Sequence, residues 1–96
     1  MPRSSYIAKL QEAIQTTRKC KALHATSVQV VERAGDQIIW EGQVEVFIVD
    51  HPQAKRCYAW GYDDGGTLLI TSVLGVPPVT DAHTAVKVAL AARRKP

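Results

Sequence analysis

Among the side chains able to do chemistry, His51 is the first to consider: it follows Asp50 and lies six residues before Cys57. A carboxylate can set the tautomer of an imidazole, and a nearby thiol is a potential nucleophile. The stretch supplies no oxyanion donors at a helix start, and Pro52 marks it as a surface turn. Cys57 alternates with Ala59 and Gly61, the pattern of a small residue packed against a neighbour. No catalytic residue is therefore assigned. Cys20 and His24 are four apart, which is ligand spacing only if one helix runs through both. Neither a metal site nor a cofactor is expected. Asp63-Asp64-Gly65-Gly66 resembles the opening of a calcium loop but lacks the alternating oxygens and distal glutamate that such a loop needs. Those residues read as a hairpin turn.

Binding chemistry is better represented. Tyr58, Trp60 and Tyr62 alternate along one segment, and Glu41 and Glu45 alternate along the one before it. Aromatic rings beside carboxylates attract organic cations, so these five residues form a candidate cationic-ligand site. The competing role for Trp60 is a core position opposite Trp40. A second candidate surface is basic: Arg18, Lys19 and Lys21 close the first helical segment, and Arg93 and Arg94 close the last. They are able to contact phosphates, with the aromatics stacking bases. The acidic segment between them opposes a polyanion. The bases also have a simpler role, complementing helix dipoles.

The charge layout sharpens that point. Twelve Lys and Arg against nine Asp and Glu give a net +3 over 96 residues. Residues 1–24 carry five bases against Glu12, and residues 87–96 carry four bases and no acid. Residues 25–86 hold three bases against eight acids. An acidic middle lies between two basic ends. With 46% hydrophobic and 22% charged residues, the composition is that of a globular domain, and it argues against disorder. No apolar run approaches the ~20 residues of a membrane-spanning helix. Met1-Pro2-Arg3-Ser4-Ser5 leads into an amphipathic segment rather than the apolar core of a signal peptide. Cys20 and Cys57 are thus expected as reduced thiols in a cytoplasm.

The elements that must position these residues follow from periodicity. Ile7, Leu10 and Ile14 recur at helical spacing, which predicts a helix over about 4–19. Val28, Val30 and Val31 mark a strand at about 24–33, and Ala34-Gly35-Asp36-Gln37 a hairpin turn. From Trp40 to Ile48 the chain alternates, with Trp40, Val44, Val46 and Ile48 on one face and Glu41, Gln43, Glu45 and Phe47 on the other. A third strand runs from Arg56 to Tyr62 and a fourth from Thr67 to Leu74. Thr80 or Asp81 caps a last helix carrying Ala82, Ala85, Val86, Ala89 and Leu90. The order is α-β-β-β-β-α in one domain over residues 1–96. The expected architecture is an α+β two-layer sandwich: an antiparallel four-stranded meander with both helices on one face.

That order resembles the double-stranded-RNA-binding domain, a helix, an antiparallel meander and a closing helix. The resemblance implies the architecture alone. The family grips phosphates with lysines at the start of its last helix, where this chain has Thr80-Asp81-Ala82-His83-Thr84. The chain also resembles small bacterial proteins carried on mobile gene cassettes, through Trp40-Glu41-Gly42-Gln43-Val44-Glu45-Val46, His51-Pro52, Tyr58-Ala59-Trp60 and Pro77-Pro78-Val79. That resemblance implies no activity.

A two-layer arrangement leaves one sheet face bare, and Phe47 and Val49 beside Tyr58, Trp60 and Tyr62 would make it a large apolar patch. A symmetric dimer would cover it. The sequence therefore points to a non-catalytic binding or interaction protein, a homodimer through the open sheet face with a possible small cationic ligand. Nucleic-acid binding through the basic helix ends is the alternative.

Overall fold

The computed structural model describes residues 3–94, the side chains of residues 93 and 94 excepted. Helix α1 spans Arg3–Arg18, and strands β1 Ala22–Ala34, β2 Gln37–His51, β3 Ala54–Asp64 and β4 Thr67–Leu74 follow. Helix α2, Ala82–Arg94, closes the chain. The strands form one antiparallel sheet in the order β1-β2-β3-β4. Glycines with positive φ (Gly35 in the first hairpin, Gly65 and Gly66 in the last) turn the chain where a side chain would be strained. The Gly66 amide donates to Asp63 Oδ1 at 2.8 Å, so this aspartate serves the turn. At α2, Asp81 is the N-cap: its Oδ1 accepts from the Thr84 amide at 2.8 Å, and Thr84 Oγ1 accepts from the Asp81 amide at 3.0 Å.

The helices do not share a face. Tyr58, Trp60, Val44, Val46 and Val30 pack with Ala82, Ala85 and Val86 of α2. Phe47, Val49, Cys57 and Ala59 pack instead with Leu10 and Ile14 of α1. Alternate residues of β2 and β3 thus feed two separate cores, and the molecule has three layers, with the sheet in the middle. The reason is visible in the central strands. Val44 through Phe47 and Cys57 through Trp60 are each four consecutive buried residues, which is possible only when both faces are covered. The expected arrangement, with both helices on one face and the other bare, is corrected on this point. Phe47 and Val49 lie across the sheet from Tyr58, Trp60 and Tyr62 and share no patch with them.

The pairing of β2 with β3 is short. It holds from Glu45↔Ala59 to Ile48↔Arg56, with a further pair at His51↔Ala54. Before Glu45, β2 pairs only β1, and beyond Ala59, β3 pairs only β4. The two hairpins therefore part along a seam that side chains bridge from both faces. On the α2 side, Trp40 meets Trp60 edge-on, with ring centroids 5.7 Å apart. On the α1 side, the Tyr6 hydroxyl accepts from the Gly61 amide at 2.9 Å. Arg3 Nη1 donates to Gln43 Oε1 at 3.0 Å on the other bank.

Replacing Tyr6 by Phe leaves the Gly61 amide without a partner in a half-buried site. The expected loss is about 1–2 kcal/mol of unfolding free energy, read by urea denaturation. A change under about 0.3 kcal/mol would mean that water replaces the phenol freely.

Candidate functional site

Among the described residues, the one buried charged or polar side chain is Glu45, on the α1 face of β2 and 0% exposed. Its neighbours come from two elements, β1 and α1. Ser27 stands directly opposite on β1. His24 reaches the same face because the register shifts between His24 and Thr26, a bulge at Ala25. Without that extra residue, an even- and an odd-numbered residue of β1 would point to opposite faces. Arg3 arrives from the first turn of α1.

Three donors converge on one oxygen, Oε1: His24 Nε2 at 2.8 Å, the Ser27 hydroxyl, and Arg3 Nη2 at 3.4 Å. Oε2 is buried and, among the described residues, has no hydrogen-bond partner. His24 also meets Phe47 edge-on at 5.4 Å, and this fixes its ring. Tyr6 lies near the cluster. Burial pushes its hydroxyl above the usual value, with the Gly61 hydrogen bond and Arg3 pulling down and the Glu45 charge pushing up.

Serine, histidine and glutamate side by side suggest a nucleophilic triad, but the connectivity differs. Ser27 and His24 each donate to Glu45, so the histidine is committed to the carboxylate rather than serving as the base of the serine. The arrangement is a buried carboxylate held among three donors.

The residues expected to line a cationic-ligand site are not brought together. Glu41 and Glu45 lie on the α1 face, whereas Tyr58, Trp60 and Tyr62 lie on the α2 face, with the sheet between them. Tyr58 is buried and donates to the Thr80 carbonyl at 3.4 Å. Trp60 is core, against Trp40 as its competing role required. Tyr62 is exposed beside the β3–β4 turn, and Glu41 is exposed on the first hairpin. Only Glu45 of the five belongs to a polar cluster; the sequence offered His24 only as a ligand beside Cys20, and it pointed to none of Arg3, His24 and Ser27 as partners of Glu45. The one signal in the sequence was an acid between Val44 and Val46-Phe47, on what proves to be a buried run.

The basic residues are also dispersed. Arg18 folds back to donate to the Ser72 carbonyl at 2.7 Å. Lys19 occupies the left-handed position that ends α1, at φ 55°, and Lys21 is exposed. These three stand beside the start of β1. Helix α2 runs the other way on the opposite face, its Lys87 near Glu32 and its Leu90 and Ala91 beside Arg33 and Ala34 at the end of β1. The side chains of Arg93 and Arg94 lie outside the described residues. The two basic helix ends therefore sit on opposite faces and at opposite ends of the sheet.

His51 accepts from the Gln53 amide at 3.0 Å within its turn, and Asp50 accepts from the Lys21 amide at 2.6 Å, tying the end of β2 to the segment before β1. Cys57 is buried under α1 and unpaired, as is the half-exposed Cys20. Because α1 ends at Arg18, Cys20 and His24 share no helix. Among the described residues, no three His, Cys, Asp or Glu gather as a metal site. None of the described helices is long and apolar enough to cross a membrane. Compared with protein families, curated proteins and solved structures, the chain matches none of them.

Burial, slightly offset by the nearby Arg18 charge, pushes the Cys57 thiol from 9.0 up to about 11. The folded chain then keeps a proton that the unfolded chain releases, and stability falls as pH rises from about 9 to 11. Tyr6 and Tyr58, both raised first by burial, add to the loss near its upper end. In Cys57→Ala the decline between pH 9 and 11 is expected to be shallower by denaturant titration. An identical slope would remove the thiol as its cause.

Proposed function

We propose that the chain is a non-catalytic interaction protein that works as a homodimer, joined through a strip of the sheet that α2 leaves uncovered. The observation that carries this reading is a cross-strand pair. Leu23 and Ile48 face each other on the α2 side of β1 and β2, and they are 69% and 45% exposed. Among the described residues, Leu23 is the most exposed of the large apolar side chains. Ile48 of this pair lines a groove along Val46 and Tyr58 that ends at the start of α2.

Charge supports a second copy as the occupant. Arg56, opposite Ile48 on β3, and Asp81, the N-cap of α2, both line this groove. In a two-fold contact, the Arg56 of one protomer meets the Asp81 of its partner, twice over. Thr84 hydrogen bonds hold the Asp81 carboxyl below its usual value, so the acid stays charged for that role. The bulge at Ala25 disfavours the other route, edge-to-edge pairing of β1. The seam is narrower than a whole bare sheet face, and a free cytoplasmic setting with reduced thiols fits it.

Light scattering across a concentration series is the test. The wild-type chain is expected at twice the chain mass. Leu23→Glu and Ile48→Lys, at exposed positions that leave both cores intact, are each expected to give monomers with unchanged melting behaviour at low concentration. A wild-type monomer at millimolar concentration would refute the reading.

A further inference from the structure

We propose that Glu45, Ser27 and Gln43 form a site for a guanidinium group carried by a ligand, in the place that the chain's own Arg3 side chain now takes. This site lies on the α1 face and is independent of the dimer seam on the α2 face.

The argument begins with an imbalance. A buried carboxylate is costly unless both of its oxygens find donors. Here His24, Ser27 and Arg3 all meet Oε1, and among the described residues none donates to Oε2. The group best shaped to serve both oxygens at once is a guanidinium, whose planar fork binds a carboxylate through two parallel hydrogen bonds. Arg3 does not bind in this way. Its Nη2 reaches Oε1 at 3.4 Å and Ser27 Oγ, while its Nη1 goes to Gln43 Oε1. Its fork is spread over three acceptors, and its side chain is 56% exposed.

The acceptors are those a guanidinium needs: a carboxylate, an amide oxygen and a hydroxyl, against five N–H donors. Arg3 shows that the group fits, and its incomplete engagement shows that a better-placed one has more to gain. Arg3 also acts as a tethered competitor. A side chain on a short tether has an effective concentration in the millimolar range, so an external ligand must displace it. Ammonium groups carry the same charge without the planar fork, and tetramethylammonium carries charge without any N–H.

The experiment follows the His24 ring resonances by NMR while agmatine or acetyl-arginine-amide is added at constant ionic strength. The first compound presents guanidinium on a small molecule and the second on a peptide unit. Saturable shifts are expected in the wild-type chain and about tenfold tighter binding in Arg3→Ala, where the competitor is gone. Saturation by agmatine alone assigns the site to small guanidines, and saturation by both extends it to arginine in a peptide. Arg3→Ala combined with Glu45→Gln is expected to lose binding. Should that variant fail to fold, Arg3→Ala combined with Ser27→Ala is expected to weaken it several-fold. No saturable shift with either compound in the wild type and folded Arg3→Ala, or an equal response to tetramethylammonium, overturns the proposal.

Discussion

Among the described residues, a short ladder between Glu45–His51 and Ala54–Ala59 is the sheet pairing that joins the two hairpins. The rest of the architecture follows from that shortage. Because backbone hydrogen bonds do not fasten the hairpins along their length, side chains from both covering layers do so. Tryptophan meets tryptophan under α2, and α1 lays a phenol and a guanidinium across the other face. Each helix therefore secures the two halves of the sheet to each other while it buries its own apolar stripe. This explains why the first turn of α1 carries polar side chains that reach so far in sequence, from Arg3 to Gln43 and from Tyr6 to Gly61.

The same placement accounts for Glu45. A carboxylate at the centre of a β-strand, flanked by Val44 and Val46, would normally face solvent. Here it lies where α1 begins, so its surroundings are the polar first turn of a helix rather than that helix's apolar middle. The carboxylate itself is fully buried, while Arg3 and His24 reach it from the solvent side. Its asymmetry, with donors crowded on one oxygen, follows from geometry: β1 supplies two of them through a bulge, and β1 lies to one side of β2 only.

Much of the fold was legible in the sequence. Helical spacing of Ile7, Leu10 and Ile14 placed α1, Gly35 and Gly65-Gly66 placed two turns, and Thr67–Leu74 was read at its observed bounds. The alternation from Trp40 to Ile48 gave the correct faces of β2. What failed was the inference from faces to layers. Glu41, Gln43 and Glu45 marked one side of β2 as polar, although Phe47 on that side and the small Cys57 and Ala59 beside it were already a second core. The apolar run Val46-Phe47-Ile48-Val49 carried the warning, since a strand with one wet face does not need it. The site was less legible still. The pairing of Ser27 and His24 around one carboxylate depends on a bulge, and periodicity by itself leaves no trace of an inserted residue.

The Trp40–Trp60 contact has a practical consequence. The chain has two tryptophans, one on each hairpin, and they touch only because the hairpins are docked. Their fluorescence and their coupled indole signal in circular dichroism therefore report on tertiary assembly across the seam rather than on either hairpin alone. An opening of the seam, even with every strand intact, would register as the separation of one chromophore pair.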